Sequence, residues 1–268
     1  MADLRVNFCG VELKNPITTA SGTFGFGHEY GEFFDLSQLG GIGVKGLTPT
    51  ERLGNPAPRI AETPQGILNC VGLQNPGIDR FIEEQIPFLR RYDTKIIANV
   101  SGNTVEEYEG MVEKISDADV DLIEMNISCP NVKCGGMAFG TQPKMVEEVV
   151  SAAKAKAKKP LIVKLSPNVT DIAEIARAAE SAGADALSLI NTLLGMRIDI
   201  EKRKPILSNV MGGLSGPAVF PVAVRMVYQV RKAVSVPILG MGGIRTGRDI
   251  VEMMLAGADA VAMGTVMF

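Results

Sequence analysis

Leu122-Ile-Glu-Met-Asn-Ile-Ser-Cys-Pro-Asn131 is a short apolar run that breaks into a loop. The apolar residues predict a buried strand. Pro130 ends that strand, because proline can neither donate to a ladder nor continue a helix. Cys129 therefore stands where a strand that is held rigidly opens towards a ligand.

Two interpretations of Cys129 compete. A free cysteine is most often a small buried hydrophobe, and residue type alone favours that interpretation. The loop that follows, through Gly140, contains Lys133, Cys134 and Gly135-Gly136, a composition typical of a mobile cover over a site. The rest of the chain decides for the functional interpretation.

Strand-like runs and helical segments alternate on both sides of this stretch. Each run is apolar on both faces, as the strands of an all-parallel sheet must be. The 268 residues suit one (β/α)8 TIM barrel, which needs ~250 residues, and we expect a single domain over 1–268. A doubly wound sheet is the second choice. The eight predicted strands are Ile17–Ser21, Gly43–Thr48, Ile96–Ser101, Leu122–Ser128, Leu161–Ser166, Ala186–Thr192, Pro237–Gly242 and Ala260–Gly264.

Local signals mark the segments between the strands. Leu4 to Leu13 predicts a small N-terminal hairpin that turns at Cys9-Gly10 and closes the bottom of the barrel. Ala-Gly-Ala-Asp-Ala occurs at 182–186 and 256–260, where its glycine suits the left-handed end of a helix. Helices are predicted after the caps Thr104-Val-Glu-Glu107 and Thr246-Gly-Arg-Asp249, and from Pro217 to about Val234. Pro49 to Gly77 is too long for a plain loop, so we expect it to carry function.

Composition excludes several classes of protein. No run of 18 apolar residues and no signal-peptide pattern occur, and the net charge of −3 argues against nucleic acid as the main partner. The four cysteines form no metal or iron–sulfur pattern, and reduced thiols suggest a cytoplasmic protein. His28 is the only histidine, which leaves no Ser-His-Asp triad or histidine metal site to build.

Polar residues recur where the predicted strands end, which is where a TIM barrel carries out its chemistry. The last two strands end instead in Gly240-Met-Gly-Gly243 and Gly264-Thr265, and Gly213-Leu-Ser-Gly216 stands before a predicted helix. Each glycine set by itself suits a tight turn, but three sets together favour a phosphate cradle of backbone N–H groups. The polar strand ends are Ser21, Lys45, Asn99, Asn126, Lys164 and Asn191-Thr192.

Lys45 and Lys164 lie inside apolar runs. Because a lysine is seldom buried without a partner, the two favour an anionic or electron-accepting ligand. Gly41-Ile-Gly-Val-Lys-Gly46 matches a dinucleotide fingerprint, but it lies before and inside a strand rather than between a strand and a helix. We therefore discard that match.

Together these residues resemble the class I dihydroorotate dehydrogenases, FMN-dependent (β/α)8 enzymes of pyrimidine (UMP) synthesis. The resemblance runs from the hairpin to Phe268, and it is closest to the catalytic subunit of the NAD-linked subclass. Its motifs are Asn126-Ile-Ser-Cys-Pro-Asn131, Asn69-Cys-Val-Gly-Leu-Gln-Asn75, Val163-Lys-Leu-Ser-Pro167, Asn191-Thr-Leu-Leu-Gly-Met196, Gly22-Thr-Phe-Gly-Phe-Gly27 and Gly213-Leu-Ser-Gly-Pro217.

The resemblance implies roles for individual residues. Cys129 would be the base that takes a proton from C5 of dihydroorotate while C6 gives hydride to flavin N5. The substrate would be held by Lys45, Asn69, Cys70, Val71, Gly72, Leu73, Asn126, Asn191 and Thr192. The flavin would contact Ser21, Lys45, Gly46, Asn99, Asn126, Lys164 and Ile190, and its phosphate Gly216, Gly242, Gly243, Gly264 and Thr265.

The resemblance also implies partners. NAD-linked members pass electrons to a second subunit that carries FAD and a [2Fe–2S] cluster, so we expect a homodimer within a heterotetramer, with no metal on this chain. Family members continue past the eighth strand into a last helix, so the chain is expected to be cut short at Phe268. The alternatives are a fumarate-linked class I enzyme, a dihydropyrimidine dehydrogenase-like enzyme, a dihydrouridine synthase and a non-catalytic binding barrel.

Overall fold

A closed barrel of parallel strands forms the centre of the molecule. The computed structural model describes residues 3–128 and 139–268, and in them each barrel strand pairs in parallel with the next one along the chain. The last strand pairs with the first, Val261 opposite Ile17. This closure rules out the doubly wound sheet and confirms the barrel. In chain order the strands are β3 (Ile17–Thr19), β4 (Gly41–Gly43), β7 (Lys95–Val100), β8 (Leu122–Asn126), β9 (Leu161–Lys164), β10 (Ala186–Leu189), β15 (Ile238–Met241) and β16 (Ala260–Met263).

All eight predicted strands are present, and one is displaced. β4 covers Gly41–Gly43, whereas the prediction began at Gly43 and ran to Thr48. Two glycines made the start of β4 look like a turn. Beyond Gly43 the chain still bonds to its neighbour, with Leu47 N–H donating to Asn99 O at 2.9 Å. The glycine motif discarded above therefore begins at the first residue of β4, not before the strand as predicted, and it still does not lie between a strand and a helix.

The helices pack around the outside of the barrel. Thr104 caps α3 as predicted, but the Glu107 side chain accepts from Asn103 N–H at 2.7 Å instead of completing the box at Thr104. Thr246 and Asp249 form the full capping box. The helix after Pro217 ends at Arg231, three residues before the predicted end. The helices are α1 (Ile78–Arg80), continued by a π-helical turn (Phe81–Gln85) and α2 (Ile86–Leu89), α3 (Val105–Ser116), α4 (Pro143–Lys156), α5 (Ile172–Ser181), α6 (Phe220–Arg231) and α7 (Gly247–Leu255).

The N-terminal hairpin closes the bottom of the barrel, as predicted. Strands β1 (Val6–Phe8) and β2 (Val11–Leu13) turn through Cys9 and Gly10, whose φ values of 54° and 80° are typical of a tight hairpin turn. Phe8 and Leu13 are each 1% exposed, and they pack on residues at the start of several barrel strands. Those residues include Leu122, Ala186 and Ala260.

A second, antiparallel sheet stands at the opposite end of the barrel. The long segment after β4 supplies β5 (Ile60–Thr63) and β6 (Gly66–Asn69), and the segment after β10 supplies β11 (Leu193–Met196) and β14 (Met211–Ser215). The strand order is β11-β14-β6-β5. A short ribbon of β12 (Ile198–Asp199) and β13 (Lys204–Pro205) extends from it. The sheet brings two parts of the chain that lie far apart in sequence over the mouth of the barrel.

Within the described ranges, no helix is both long enough and apolar enough to cross a membrane.

Candidate active site

The barrel places the predicted polar residues at the carboxyl ends of its strands. Asn126 and Lys164 are the last residues of β8 and β9, and Asn99 is the next-to-last residue of β7. Because parallel strands all end at the same rim, residues that lie far apart in the sequence meet there. The other predicted residues stand within three positions after a strand end: Ser21, Lys45, Gly46, Ile190, Asn191, Thr192, Gly242, Gly243, Gly264 and Thr265.

One group of these residues forms a buried polar cluster. Lys164 Nζ donates to Ser21 Oγ at 3.0 Å and lies 3.6 Å from Glu124 Oε2. Glu124 also accepts from Asn99 Nδ2 at 2.5 Å and from Ser188 Oγ at 2.7 Å. Glu124 is 2% exposed, Lys164 3%, and Asn99 and Ser188 are fully buried. The cluster connects five of the eight strand ends.

The cluster changes one argument made from the sequence. Burial of Lys164 predicted an anionic ligand, but Glu124 is already an internal partner for its charge. The signal for Glu124 was present in Leu122-Ile-Glu-Met-Asn126, since a carboxylate in an apolar run needs a partner as much as a lysine does. Ser188 had no such signal, because a serine in an apolar run is unremarkable.

A second chain of contacts links the predicted substrate residues. Ser128 Oγ donates to Asn126 Oδ1 at 2.6 Å, and Asn191 Nδ2 donates to Ser128 Oγ. The side chain of Asn191 in turn accepts from Thr192 N–H at 2.8 Å. Ser128 belongs to the stretch from Leu122 to Asn131, in which the sequence indicated no role for it. Its hydroxyl connects the ends of β8 and β10.

The antiparallel sheet brings Asn69 to the same place. Asn69 ends β6 and donates through Nδ2 to Gly213 O at 3.3 Å. A Cβ on Gly213 would lie 2.0 Å from Thr192 Oγ1, so only glycine allows Thr192 to approach the sheet. Gly213 through Ser215 belong to strand β14, so most of this glycine set takes part in the antiparallel sheet. Only Gly216, with φ of 101°, directly precedes the helical turns.

Residues 70 to 73 form a turn with backbone donors. Cys70 N–H donates to Arg59 O at 2.8 Å, so this N–H group is not available to a ligand. The N–H groups of Val71, Gly72 and Leu73 have no acceptor among the described residues. Gly72 and Leu73 both have positive φ, 78° and 55°. Three successive N–H groups without an acceptor can together donate to an anionic ligand.

Lys45 lines an open cleft beside this turn. The cleft has a volume of about 460 Å³, and its lining includes Gly22, Lys45 and Val71. A Cβ on Gly22 would lie 3.7 Å from Lys45 Nζ, which places the Lys45 ammonium next to Ser21-Gly22. His28 and Arg52 also line the cleft, although nothing in the sequence indicated a binding role for them. The cleft thus combines a cation with Val71, the first of the three backbone donors.

The glycines expected to hold phosphate converge beside α6. A Cβ on Gly243 would lie 2.8 Å from Gly216 O and 2.7 Å from Phe220 N, so the chains pass each other closely. A Cβ on Gly242 would lie 3.1 Å from Ile190 Cγ1. Thr265 Oγ1 donates to Ser215 Oγ at 2.8 Å and ties the end of β16 to the same region. Gly216, Gly242 and Gly243 thus lie close together, and Thr265 is joined to this group, the glycine cradle, through Ser215.

Three features of the rim fit a flavin nucleotide. Asn99 Oδ1 is buried without a hydrogen-bond partner in the described structure, so an acceptor is held ready for a ligand donor. A Cβ at Gly46 would lie 2.8 Å from that oxygen and would fill the space beside it. The glycine cradle lies across the barrel mouth and suits the phosphate. The predicted base, Cys129, and the predicted cover through residue 138 lie outside the described residues.

The similarity to known proteins agrees with this geometry. The family model for dihydroorotate dehydrogenase matches residues 3–268. The chain belongs to the dihydroorotate dehydrogenase family. It is 67% identical to the "Dihydroorotate dehydrogenase B (NAD(+)), catalytic subunit" of Alkaliphilus metalliredigens, over 99% of this chain and 88% of that protein. The family resemblance inferred from the motifs is therefore confirmed.

Two more distant relatives carry the same name. The protein of Bacteroides thetaiotaomicron is 58% identical over 100% of this chain and 89% of its own length. That of Oceanobacillus iheyensis is 56% identical over 99% of this chain and 88% of its own length. Each is described as a catalytic subunit, a term that implies a further subunit in those proteins.

Proposed function

We propose that this chain oxidises dihydroorotate to orotate in pyrimidine synthesis and passes the electrons through a partner subunit to NAD⁺. The observation that carries the proposal is the buried cluster at the barrel mouth, where Asn99 offers an acceptor that has no partner among the described residues, beside the Lys164–Glu124 pair. Family membership and the names of close relatives support the same reaction. FMN, when bound, supplies the acceptor for the hydride that leaves C6 of the substrate.

The residues of this chain divide the remaining work. Lys45 and the N–H groups of Val71, Gly72 and Leu73 are proposed to hold the substrate carboxylate in the cleft. Asn69, Asn126, Asn191 and Thr192 are proposed to hold its ring amides. Their connection through Ser128 and Gly213 restricts their rotamers, so little ordering is left to be done when the substrate binds.

Cys129 is proposed to take the proton from C5. A free thiol has a pKa of ~8.5, so this step favours a mildly alkaline medium unless the site lowers that value. Cys134 is not proposed as a base, because it stands eight residues after the strand that ends at Asn126, whereas Cys129 stands three residues after it.

The first test is the colour of the purified chain. We expect non-covalent FMN with its visible absorption spectrum, released when the protein is denatured. Folded protein that stays colourless after incubation with FMN would contradict the proposal.

The second test compares two cysteines. Cys129→Ala should slow flavin reduction by dihydroorotate by roughly 10² to 10⁴, the usual contribution of a positioned base. Cys134→Ala is the matched control and should have a far smaller effect. Equal losses in the two variants would show that the integrity of the loop, rather than Cys129, is what matters.

The third test concerns the partner. We propose a subunit carrying FAD and a [2Fe–2S] cluster, in a heterotetramer built on a homodimer of this chain in the cytoplasm. The isolated chain should bleach its flavin with dihydroorotate, and NADH should form only after the partner is added. Steady NADH production by the chain alone would refute the relay, and a preference for fumarate would place the chain in the fumarate-linked subclass.

A further inference from the structure

Glu124 is a buried carboxylate to which the proposed reaction gives no role. It lies inside β8, it is 2% exposed, and its three hydrogen-bonding and ionic partners are Asn99, Ser188 and Lys164. Burying a carboxylate is costly, and replacing such an ion pair by apolar residues often stabilises a protein. A barrel with many other apolar core residues does not need this group for its fold, which suggests another reason for its presence.

The contact with Asn99 determines which way that amide points. A carboxylate can only accept hydrogen bonds, so the Nδ2 group of Asn99 must face Glu124. The observed distance is 2.5 Å from Nδ2 to Oε2. Ser188 donates to the other oxygen of this side chain, and the Lys164 ammonium lies 3.6 Å from Oε2. The Asn99 oxygen is therefore forced to the opposite side.

That oxygen faces the open part of the site. Asn99 Oδ1 is buried and accepts no hydrogen bond from any described residue. The position of a Cβ on Gly46 would be 2.8 Å away from it, and that same position is 3.3 Å from Leu73 Cδ2. A buried acceptor without a donor is costly to the folded protein, and a ligand N–H would remove that cost.

We propose that Glu124 is a positioning residue of the flavin site. It orients Asn99 so that Oδ1 accepts from the flavin ring, and it holds the Lys164 ammonium in place at the same rim. The inference rests on the proposed use of FMN. An oxidised flavin ring carries a single N–H donor, the imide, so the imide is the group that Asn99 Oδ1 would bind.

The rival explanation is that Glu124 only neutralises Lys164. The two explanations differ when the polarity of the Glu124–Asn99 pair is exchanged. In the double variant Glu124→Gln/Asn99→Asp, the amide at position 124 donates to one carboxylate oxygen at position 99. The other carboxylate oxygen still faces the ring as an acceptor. The total charge of the cluster is unchanged, although the charge moves one side chain away from Lys164.

The experiment measures the dissociation constant of FMN for the full-length apoprotein by quenching of flavin fluorescence. Glu124→Gln lets the amide at 99 turn its NH₂ group towards the ring, and we expect about tenfold weaker binding, equivalent to one net hydrogen bond. Asn99→Asp places two carboxylates in contact and should weaken binding by at least as much. The double variant should bind within about threefold of wild type rather than about 100-fold weaker.

Ser188→Ala is the matched control, since it removes a different donor from Glu124 and leaves the contact with Asn99 intact. It should change FMN affinity less than about threefold. Additive losses in the double variant would overturn the inference, as would a single Glu124→Gln variant that binds FMN like wild type. Wild-type protein that binds no FMN at all would refute the proposed function itself.

A second probe needs no variant and so does not depend on any variant folding. FMN methylated at the imide nitrogen has no donor for Asn99 Oδ1 and should bind the wild-type protein at least about tenfold more weakly than FMN. Equal affinity for the two flavins would show that Asn99 Oδ1 does not bind the imide, and would also overturn the inference.

Discussion

Single atoms decide what the barrel mouth can bind. The space beside Asn99 Oδ1 exists because residue 46 has no side chain, since an added Cβ would lie 2.8 Å from that oxygen. The Asn99 amide donates through Nδ2 to Glu124, so its oxygen cannot turn away without breaking a buried hydrogen bond. At this scale, function depends on a hydrogen atom in place of a methyl group.

Gly46→Ala should therefore weaken FMN binding by at least about tenfold, through displacement of Asn99 or occlusion of the ring site. Titration of the apoprotein with FMN measures this. Gly110→Ala is the control, because Gly110 lies within α3 with no atom within 4 Å of an added Cβ. It should leave FMN affinity unchanged and raise the free energy of unfolding by roughly 0.5–1 kcal/mol. An unaffected FMN affinity in Gly46→Ala would show that the ring does not approach this position.

Cys9 provides a residue-scale prediction about pH. Burial raises the pKa of the Cys9 thiol to about 12, from 9.0 in a free chain. Between these values the folded state retains a proton that the unfolded chain has released, so stability falls as pH rises through this window. As pH rises from 9.0 towards about 12, Cys9→Ala should lose less stability than wild type, measured by urea unfolding. Parallel curves for the two proteins would contradict the assignment.

The same aspartate arrangement occurs three times at the amino-terminal end of the barrel, opposite the polar rim. Asp121, Asp185 and Asp259 each stand one residue before a barrel strand. Each aspartate makes two hydrogen bonds with one residue of the preceding strand. Asp185 N–H, for example, donates to Leu161 O at 2.9 Å, and the Asp185 carboxylate accepts from Leu161 N–H at 2.7 Å. The two copies of Ala-Gly-Ala-Asp-Ala contain two of these aspartates. Each aspartate also pairs with a basic residue in or next to the last turn of a helix: Asp121 with Arg90, Asp185 with Lys154 and Asp259 with Arg231.

Asp185→Ala should lower the free energy of unfolding by roughly 1–3 kcal/mol, because the buried N–H of Leu161 loses its side-chain acceptor and Lys154 loses its partner. Glu113→Ala is the control, since its pair with Lys156 spans 3.4 Å at the surface. Removal of that pair should cost less than about 1 kcal/mol. Chemical denaturation of both variants decides the comparison, and equal costs would show that the aspartate contributes only through its ion pair.

At the scale of the whole molecule, stability and binding are assigned to opposite ends of the barrel. The hairpin packs into the amino-terminal end, where Phe8 is 1% exposed. The rim cluster, the glycine cradle and the antiparallel sheet all lie at the carboxyl end. Closure of the barrel, from β16 back to β3, is what brings Ser21 within 3.0 Å of Lys164. Changes at one end should therefore leave the chemistry at the other end intact.

Phe8→Ala should lower the free energy of unfolding by roughly 3–5 kcal/mol, through lost burial and the cavity left behind. FMN affinity, measured at a temperature where the variant is folded, should stay within about threefold of wild type. Leu4→Ala, at a side chain that is 61% exposed, is the control and should change stability by less than about 0.5 kcal/mol. A parallel loss of FMN affinity in Phe8→Ala would show that the two ends are coupled.

The sequence by itself determined the barrel, the hairpin and the positions of its polar rim. These follow from local chemistry: apolar runs of strand length, a turn at Cys9-Gly10, and glycines at 183 and 257 whose φ values of 98° and 120° end helices as predicted. Errors of boundary arose where local signals were ambiguous, as at the glycines of β4. The motif resemblance supplied the family and the roles expected of individual side chains.

Only the tertiary structure decided how those side chains are paired. Glu124 lies 25 residues from Asn99 and 64 from Ser188. No local pattern says which strand ends become neighbours or which way an amide turns. The antiparallel sheet likewise joins two segments that read separately as loops, because its hydrogen bonds form between strands rather than within them. Barrel closure converts scattered polar residues into one oriented set, and the orientation depends on distances that exist only after folding.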